Sequence, residues 1–152
     1  MIGLVLVTHG RLAHEFSAAL EHIMGRQEQM EAITIGANDD PDLCRRAIIE
    51  AVNRVDSGDG VAILTDMFGG TPSNFAISCM SRPNVDVLAG INLPMLVKLA
   101  KVRQYRSLPE TIDMAQEAAR KYVTIASSVL ARKMSAEGRS KGVSYHLAKT
   151  RP

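Results

Sequence analysis

Four times along this chain a short apolar run gives way, across a polar loop, to apolar residues at helical spacing. Residues 2–7 (IGLVLV) are continuously apolar, the pattern of a strand buried on both faces. Leu12, Phe16, Ala19, Leu20 and Ile23 then form a helix stripe, and Gly25 supplies its stop. Met30–Ile35 predicts a second strand, and Asp40-Pro41 a helix start with Leu43, Ala47, Ala51, Val52 and Val55 buried. Val61–Thr65 and residues 85–88 predict the third and fourth strands. Thr71-Pro72 opens a helix to about Met80, Leu93-Pro94 one to about Gln104, and Leu108-Pro109 a last one. Strand and helix alternating in this way predict an α/β fold: a four-stranded parallel sheet with helices on both faces.

The C-terminal part reads differently. Residues 122–125 (YVTI) are β-branched and aromatic, which favours a short fifth strand, although a continued helix fits the period nearly as well. From about Ser135 no period survives, so the expected organisation is a domain over 1–134 and a basic flexible tail over 135–152. Arg139, Lys141, Lys149 and Arg151 stand there against Glu137 alone, so the net charge of +2 belongs to this end. A near-neutral body, in a chain with 3 Phe, 3 Tyr and no Trp in all, argues against nucleic acid and against base-stacking platforms. Cys44 and Cys79 fit no metal or redox spacing and read as small buried hydrophobes in a reducing compartment. The N-terminus has no basic leader and its apolar run stops after Val7. No stretch approaches the roughly 18 apolar residues of a membrane helix. A cytoplasmic protein without membrane insertion is expected.

In parallel sheets functional groups gather at the carboxyl ends of the strands, beside the helix N-termini. Two loops qualify, Thr8-His9-Gly10-Arg11 after the first strand and Asp66 to Thr71 after the third. A neutral imidazole is a nucleophile near pH 7 if one nitrogen keeps its proton. A carboxylate accepting that N–H fixes the tautomer and stabilises the charge formed on attack. Asp66 can serve His9 in this way if the first and third strands are neighbours. The surroundings suit a phosphoryl group, because both loops feed helix N-termini. Gly69 and Gly70, with Gly10 in the other loop, allow the backbone to approach a ligand, and the Thr71 hydroxyl can donate to it. Pro72 pre-sets the first helical turn. Taken singly, each loop also reads as an ordinary turn, with His9 capping a backbone group or facing solvent.

The segments LVLVTHGRLAHEF, LTDMFGGTPSNFA and LAGINLPMLVKL resemble the three signature stretches of the enzyme IIA component of the mannose/fructose/sorbose family of the phosphoenolpyruvate-dependent sugar phosphotransferase system. The resemblance runs from Met1 to about Leu130, with HG followed by D-x-x-G-G-[ST]-P and G-x-N-x-P in the family's order. It implies a phosphotransferase that accepts phosphate from phospho-HPr on His9 and passes it to a IIB component, with no cofactor and no metal. Asp66 would orient the ring and Thr71 contact the phosphate. It further implies a homodimer in which the fifth strand, antiparallel to the rest, crosses to the other subunit. Some relatives act as regulators without a permease, so a sugar-uptake role and a regulatory one both remain open.

Two other readings compete. One is a regulatory binding module that uses the phosphate site as a sensor, without onward transfer. The other is a histidine-dependent small-molecule enzyme. Histidine phosphatases carry arginine directly before the nucleophile, where Thr8 stands here, and a tetrapyrrole chelatase needs further metal ligands. His14 and His22 are eight apart on one helix, wider than the i,i+4 spacing that clamps a metal. Arg11, Phe68 and Asn92 are candidate rim or partner contacts. Each has a plain alternative, in solvent for Arg11, as a lid for Phe68 and in a structural turn for Asn92.

Overall fold

The computed structural model describes residues 1–141. In chain order the elements are β1 (Gly3–His9), α1 (Leu12–Met24), β2 (Met30–Ile35), α2 (Pro41–Val55), β3 (Val61–Thr65) and α3 (Thr71–Ile77). They continue with β4 (Val85–Ala89), α4 (Leu93–Val102), α5 (Leu108–Lys121) and α6 (Ala126–Lys141). The chain divides into two compact units, Met1–Arg120 and Lys121–Pro152. None of the described helices is long and apolar enough to cross a membrane.

The first unit is built on one sheet of order β2-β1-β3-β4, parallel throughout, as expected. Strand alternation sends Leu4 and Leu6 to one face, where they pack with Leu20 of α1, Leu96 and Leu99 of α4 and Ala115 of α5. Val5 and Val7 go to the other, against Ile48 and Val52 of α2 and Phe75 of α3. Burial on both faces explains the unbroken apolar run of the first strand. Cys44 and Cys79 are both buried free thiols. The second helix starts as its sequence predicts: Asp40 accepts from the Asp42 and Leu43 amides, and Pro41 fills the first position, where no amide is needed. Because the chain leaves β1 towards β2 on one side and returns to β3 on the other, the sheet has a switch point between β1 and β3. The strand ends carrying His9 and Asp66 are therefore neighbours.

The first strand runs on through His9, which the sequence places in the loop after it, and three further stretches differ. The third helix was expected to reach Met80; it ends at Ile77 and tightens into a 3-10 turn over Ser78–Ser81. Residues 122–125 pair with no strand among the described residues and instead link α5 to α6. β-Branched side chains give a preference, but a strand forms only where another backbone completes the ladder. The stretch expected to be aperiodic from Ser135 is helical as far as Lys141. Ala, Arg, Lys, Met and Glu favour helix without an apolar stripe, so α6 is invisible to a periodicity argument. The remainder of the expected tail, residues 142–152, lies outside the described residues.

Candidate functional site

His9 is the last residue of β1, where the strand leaves the core and its side chain emerges 48% exposed. Directly before it Thr8 is fully buried, and its Oγ1 accepts the Ala13 amide at 2.7 Å. That bond ties the first turn of α1 back to β1, since Arg11, at the N-cap position, makes no side-chain cap. Gly10 turns the chain in the left-handed region (φ 52) with its amide on the Ile35 carbonyl of β2. The histidine is thus fixed from both sides by backbone that belongs to the sheet.

Asp66 follows β3 directly and is 13% exposed. One of its oxygens, Oδ2, accepts both from the His9 main-chain amide at 3.0 Å and from ring Nδ1 at 2.8 Å. The other, Oδ1, accepts the Met67 amide at 3.0 Å. Burial by itself would raise the Asp66 pKa, but the hydrogen bonds from the His9 ring and amide outweigh it and hold the carboxyl below its ordinary value of 3.8. An ionised carboxylate only accepts, so Nδ1 carries a ring proton, and in a neutral imidazole the lone pair is then on Nε2. The pairing expected from the two loops is present: one oxygen of Asp66 holds both the ring Nδ1 and the main-chain amide of His9.

The loop after Asp66 closes around the other side of the ring. Gly69 takes φ +87 in a turn in which the Gly70 amide reaches the Met67 carbonyl. The Gly70 backbone lies against the Cε1–Nε2 edge of His9. Thr71, exposed, begins α3, and Pro72 is buried in its first turn. Helix geometry leaves the first amides of such a turn without intrahelical partners. The loop also raises Met67 (59% exposed) and Phe68 (77% exposed), which directly follow Asp66 in sequence, into solvent.

The remaining candidates are employed elsewhere. Arg11 stands in solvent with its Nη2 3.8 Å from Glu15, an exposed pair of small energetic weight. Asn92 caps α4 by accepting the Met95 amide and donates to the Ala119 carbonyl at the end of α5. Its side chain is spent on joining two helices, which is the structural-turn alternative for that position. His14 and His22 are exposed on α1. Sequence reasoning missed the anchoring role of Thr8; a buried threonine five residues before a helix amide is its only signal.

Residues 3–116 match the family described as the fructose IIA component of the phosphotransferase system, EIIA-man. The chain is 29% identical over 124 residues to the mannose-specific EIIAB component of Escherichia coli K12, covering 80% of this chain and 38% of that protein. It therefore spans well under half the length of that relative. Over 114 residues it is 25% identical to the fructose-specific EIIA component of Bacillus subtilis 168, covering 74% of this chain and 78% of the other. Among solved structures it is similar to a phosphotransferase system component EIIA from Streptococcus agalactiae, with TM-score 0.77, 26% identity and coverage of 84% and 99% of the two chains. A mannose/sorbose-specific IIA subunit from Enterococcus faecalis gives TM-score 0.74 at 26% identity, covering 82% and 93%.

Proposed function

The chain belongs to the mannose/fructose-type IIA family of the sugar phosphotransferase system, and from that premise we propose that it is a phosphocarrier whose accepting atom is His9 Nε2. The observation that carries this reading is the half-exposed His9 ring held through Nδ1 by an ionised Asp66.

The step is a phosphoryl transfer between two nitrogens. The Nε2 lone pair attacks the phosphorus of the phosphohistidine on the donor HPr. The new N–P bond forms as the donor's N–P bond breaks, and the donor imidazole leaves with that electron pair. The His9 ring becomes positively charged while Nδ1 keeps its proton, and Asp66 stabilises that charge across the 2.8 Å hydrogen bond. The first-turn amides of α3, which have no intrahelical partner, and the Thr71 hydroxyl suit the phosphoryl oxygens. Onward transfer reverses these roles, with a histidine or cysteine of a IIB component as nucleophile. Both partners need the same exposed nitrogen, so their complexes exclude one another. The exposed Met67 and Phe68, next to Asp66 in sequence, suit a surface that is covered and uncovered in each cycle.

Incubation with phosphoenolpyruvate, enzyme I and HPr tests the reading directly. An acid-labile, base-stable phosphate is expected on the wild-type protein and none on His9→Ala. Stoichiometric labelling of His9→Ala would overturn the assignment. Adding a IIB component then separates a relay from a sensor, since a relay loses its label to the acceptor.

A further inference from the structure

The two adjacent glycines of the Asp66 loop are glycine for different reasons. Gly69 sits at φ +87 with nothing within 4 Å of where a Cβ would stand, so its backbone conformation is what demands glycine. Gly70 has φ −77 and ψ 169, which any residue adopts without strain. It is also the N-cap of α3, a position where serine, threonine, aspartate or asparagine would gain a hydrogen bond that glycine forgoes. Conformation and capping both argue for a side chain here, and the sequence has none.

Space supplies the reason. A Cβ at Gly70 would lie 2.9 Å from His9 Cε1 and 3.4 Å from Nε2, and 3.5 Å from the Met67 carbonyl oxygen. The first distance is below what carbon atoms tolerate. The ring cannot yield while keeping its place, because Nδ1 and the His9 amide are both bonded to one oxygen of Asp66. It can yield only by swinging outward into solvent, where it is already half exposed. We propose that Gly70 is a positioning residue, whose missing side chain is the slot that lets the His9 ring stand on Asp66 with Nε2 open to an incoming phosphorus. The proposal rests on the reading of His9 as phosphoryl acceptor and adds to it a steric gauge at the Cε1–Nε2 edge of the ring. A methyl group at position 70 then leaves the fold standing and misaligns the nucleophile.

Gly70→Ala is the test, with two readouts. Ring ¹⁵N NMR should show the single Nδ1–H tautomer of the wild type replaced by a mixture. Phosphorylation should slow roughly 10- to 100-fold, as when an orienting partner is lost. The same slowing is expected from phospho-HPr and from phosphoramidate. The small donor excludes interference with protein docking. Stability supplies a check that survives poor folding: any drop in thermal midpoint caused by Gly70→Ala should vanish in a His9→Ala background, where the methyl meets no ring. Wild-type ring signals together with a wild-type rate in Gly70→Ala would overturn the proposal. So would an equal loss of stability in both backgrounds, which would mean the backbone, not the ring, requires glycine. The NMR and stability readouts need no phosphate, so they stand even if the wild-type protein accepts none.

Discussion

The parallel sheet holds a basic side chain at each end, and the two are built in opposite ways. At the carboxyl end His9 is 48% exposed, rests on a single carboxylate, and has one ring nitrogen free. Arg103, 2% exposed, follows α4 at the amino end. Its Nη1 donates to the Ile2 and Gln29 carbonyls, and its Nη2 to the Glu28 carbonyl and the Gln27 side-chain oxygen. Only Nε is left without a partner among the described residues. Desolvation pulls the arginine's pKa below its usual value, yet a guanidinium stays charged throughout. One end keeps hydrogen-bonding capacity in reserve, and the other spends nearly all of it on joining α4 to the starts of β1 and β2. On the proposed function, the difference separates a site for chemistry from a clamp for stability, and substitutions at the two ends should therefore fail in different ways.

The largest effect on folding is expected from Arg103→Met. Removing the guanidinium strips donors from three backbone carbonyls and from Gln27. A cavity of about 390 Å³, lined by Met24, Arg26, Gln104 and Arg103 itself among others, lets water reach part of the vacated site. The loss should therefore be about 2–4 kcal/mol, below the sum of four charge-assisted bonds, read from the urea midpoint at constant slope. Arg103→Lys should recover little of it, because one ammonium cannot span acceptors set in a planar fork. Phosphate acceptance by the folded fraction should stay at the wild-type level. A loss under about 1 kcal/mol would mean that the backbone carbonyls are served without the arginine.

The two ends also differ in how far the sequence discloses them. His9, Asp66 and the glycines announce themselves through side-chain types that only chemistry or tight turns need, placed after apolar runs that mark strand ends. The acceptors of Arg103 are mostly backbone carbonyls, which every residue possesses, so nothing in the sequence around Ile2 or Glu28 points to residue 103. Alternation of strand and helix was legible for the same reason as the site: burial writes a period into the sequence. Where burial does not dictate, the reading failed, as with α6, whose residues favour helix without an apolar stripe. Residues 122–125 are a different case: they pair with no strand among the described residues, because strand propensity is realised only through a partner backbone. Gly70 lay between these cases. Its type was visible, but the ring it makes room for comes from another strand's end.

At the carboxyl end the middle-sized effect is expected from Asp66→Asn. The amide oxygen can still accept the Nδ1 proton, but its NH₂ can equally donate to an unprotonated Nδ1, so the ring loses its single tautomer. Phosphorylation should slow roughly 10- to 100-fold while the fold remains intact. Initial rates of label incorporation check this beside wild type and Arg103→Met. An unchanged rate would remove Asp66 from the site, whereas a lost fold would make this end a clamp like the other.

The smallest effect separates the two ends by pH alone. Asp66 titrates lower in the folded chain than its ordinary 3.8, so its contribution to stability is fully present above that value. It is lost as the pH falls through the folded pKa, because the protonated carboxyl gives up its charge-assisted bonds to the His9 ring and amide. Arg103 changes charge nowhere in that window, so its contribution should be flat. Glu31, lowered by its hydrogen bond from Arg54, and Glu110, lowered by those from Ser107, titrate in the same acid range and mask the effect in wild-type unfolding curves. Subtraction removes them: the stability gap between wild type and Asp66→Asn should close as the pH drops below 3.8, while the gap between wild type and Arg103→Met should not move. If the Asp66 gap stays open into strong acid, the carboxylate's charge contributes nothing at the His9 end. Packing would then hold the ring, and its tautomer would need another cause.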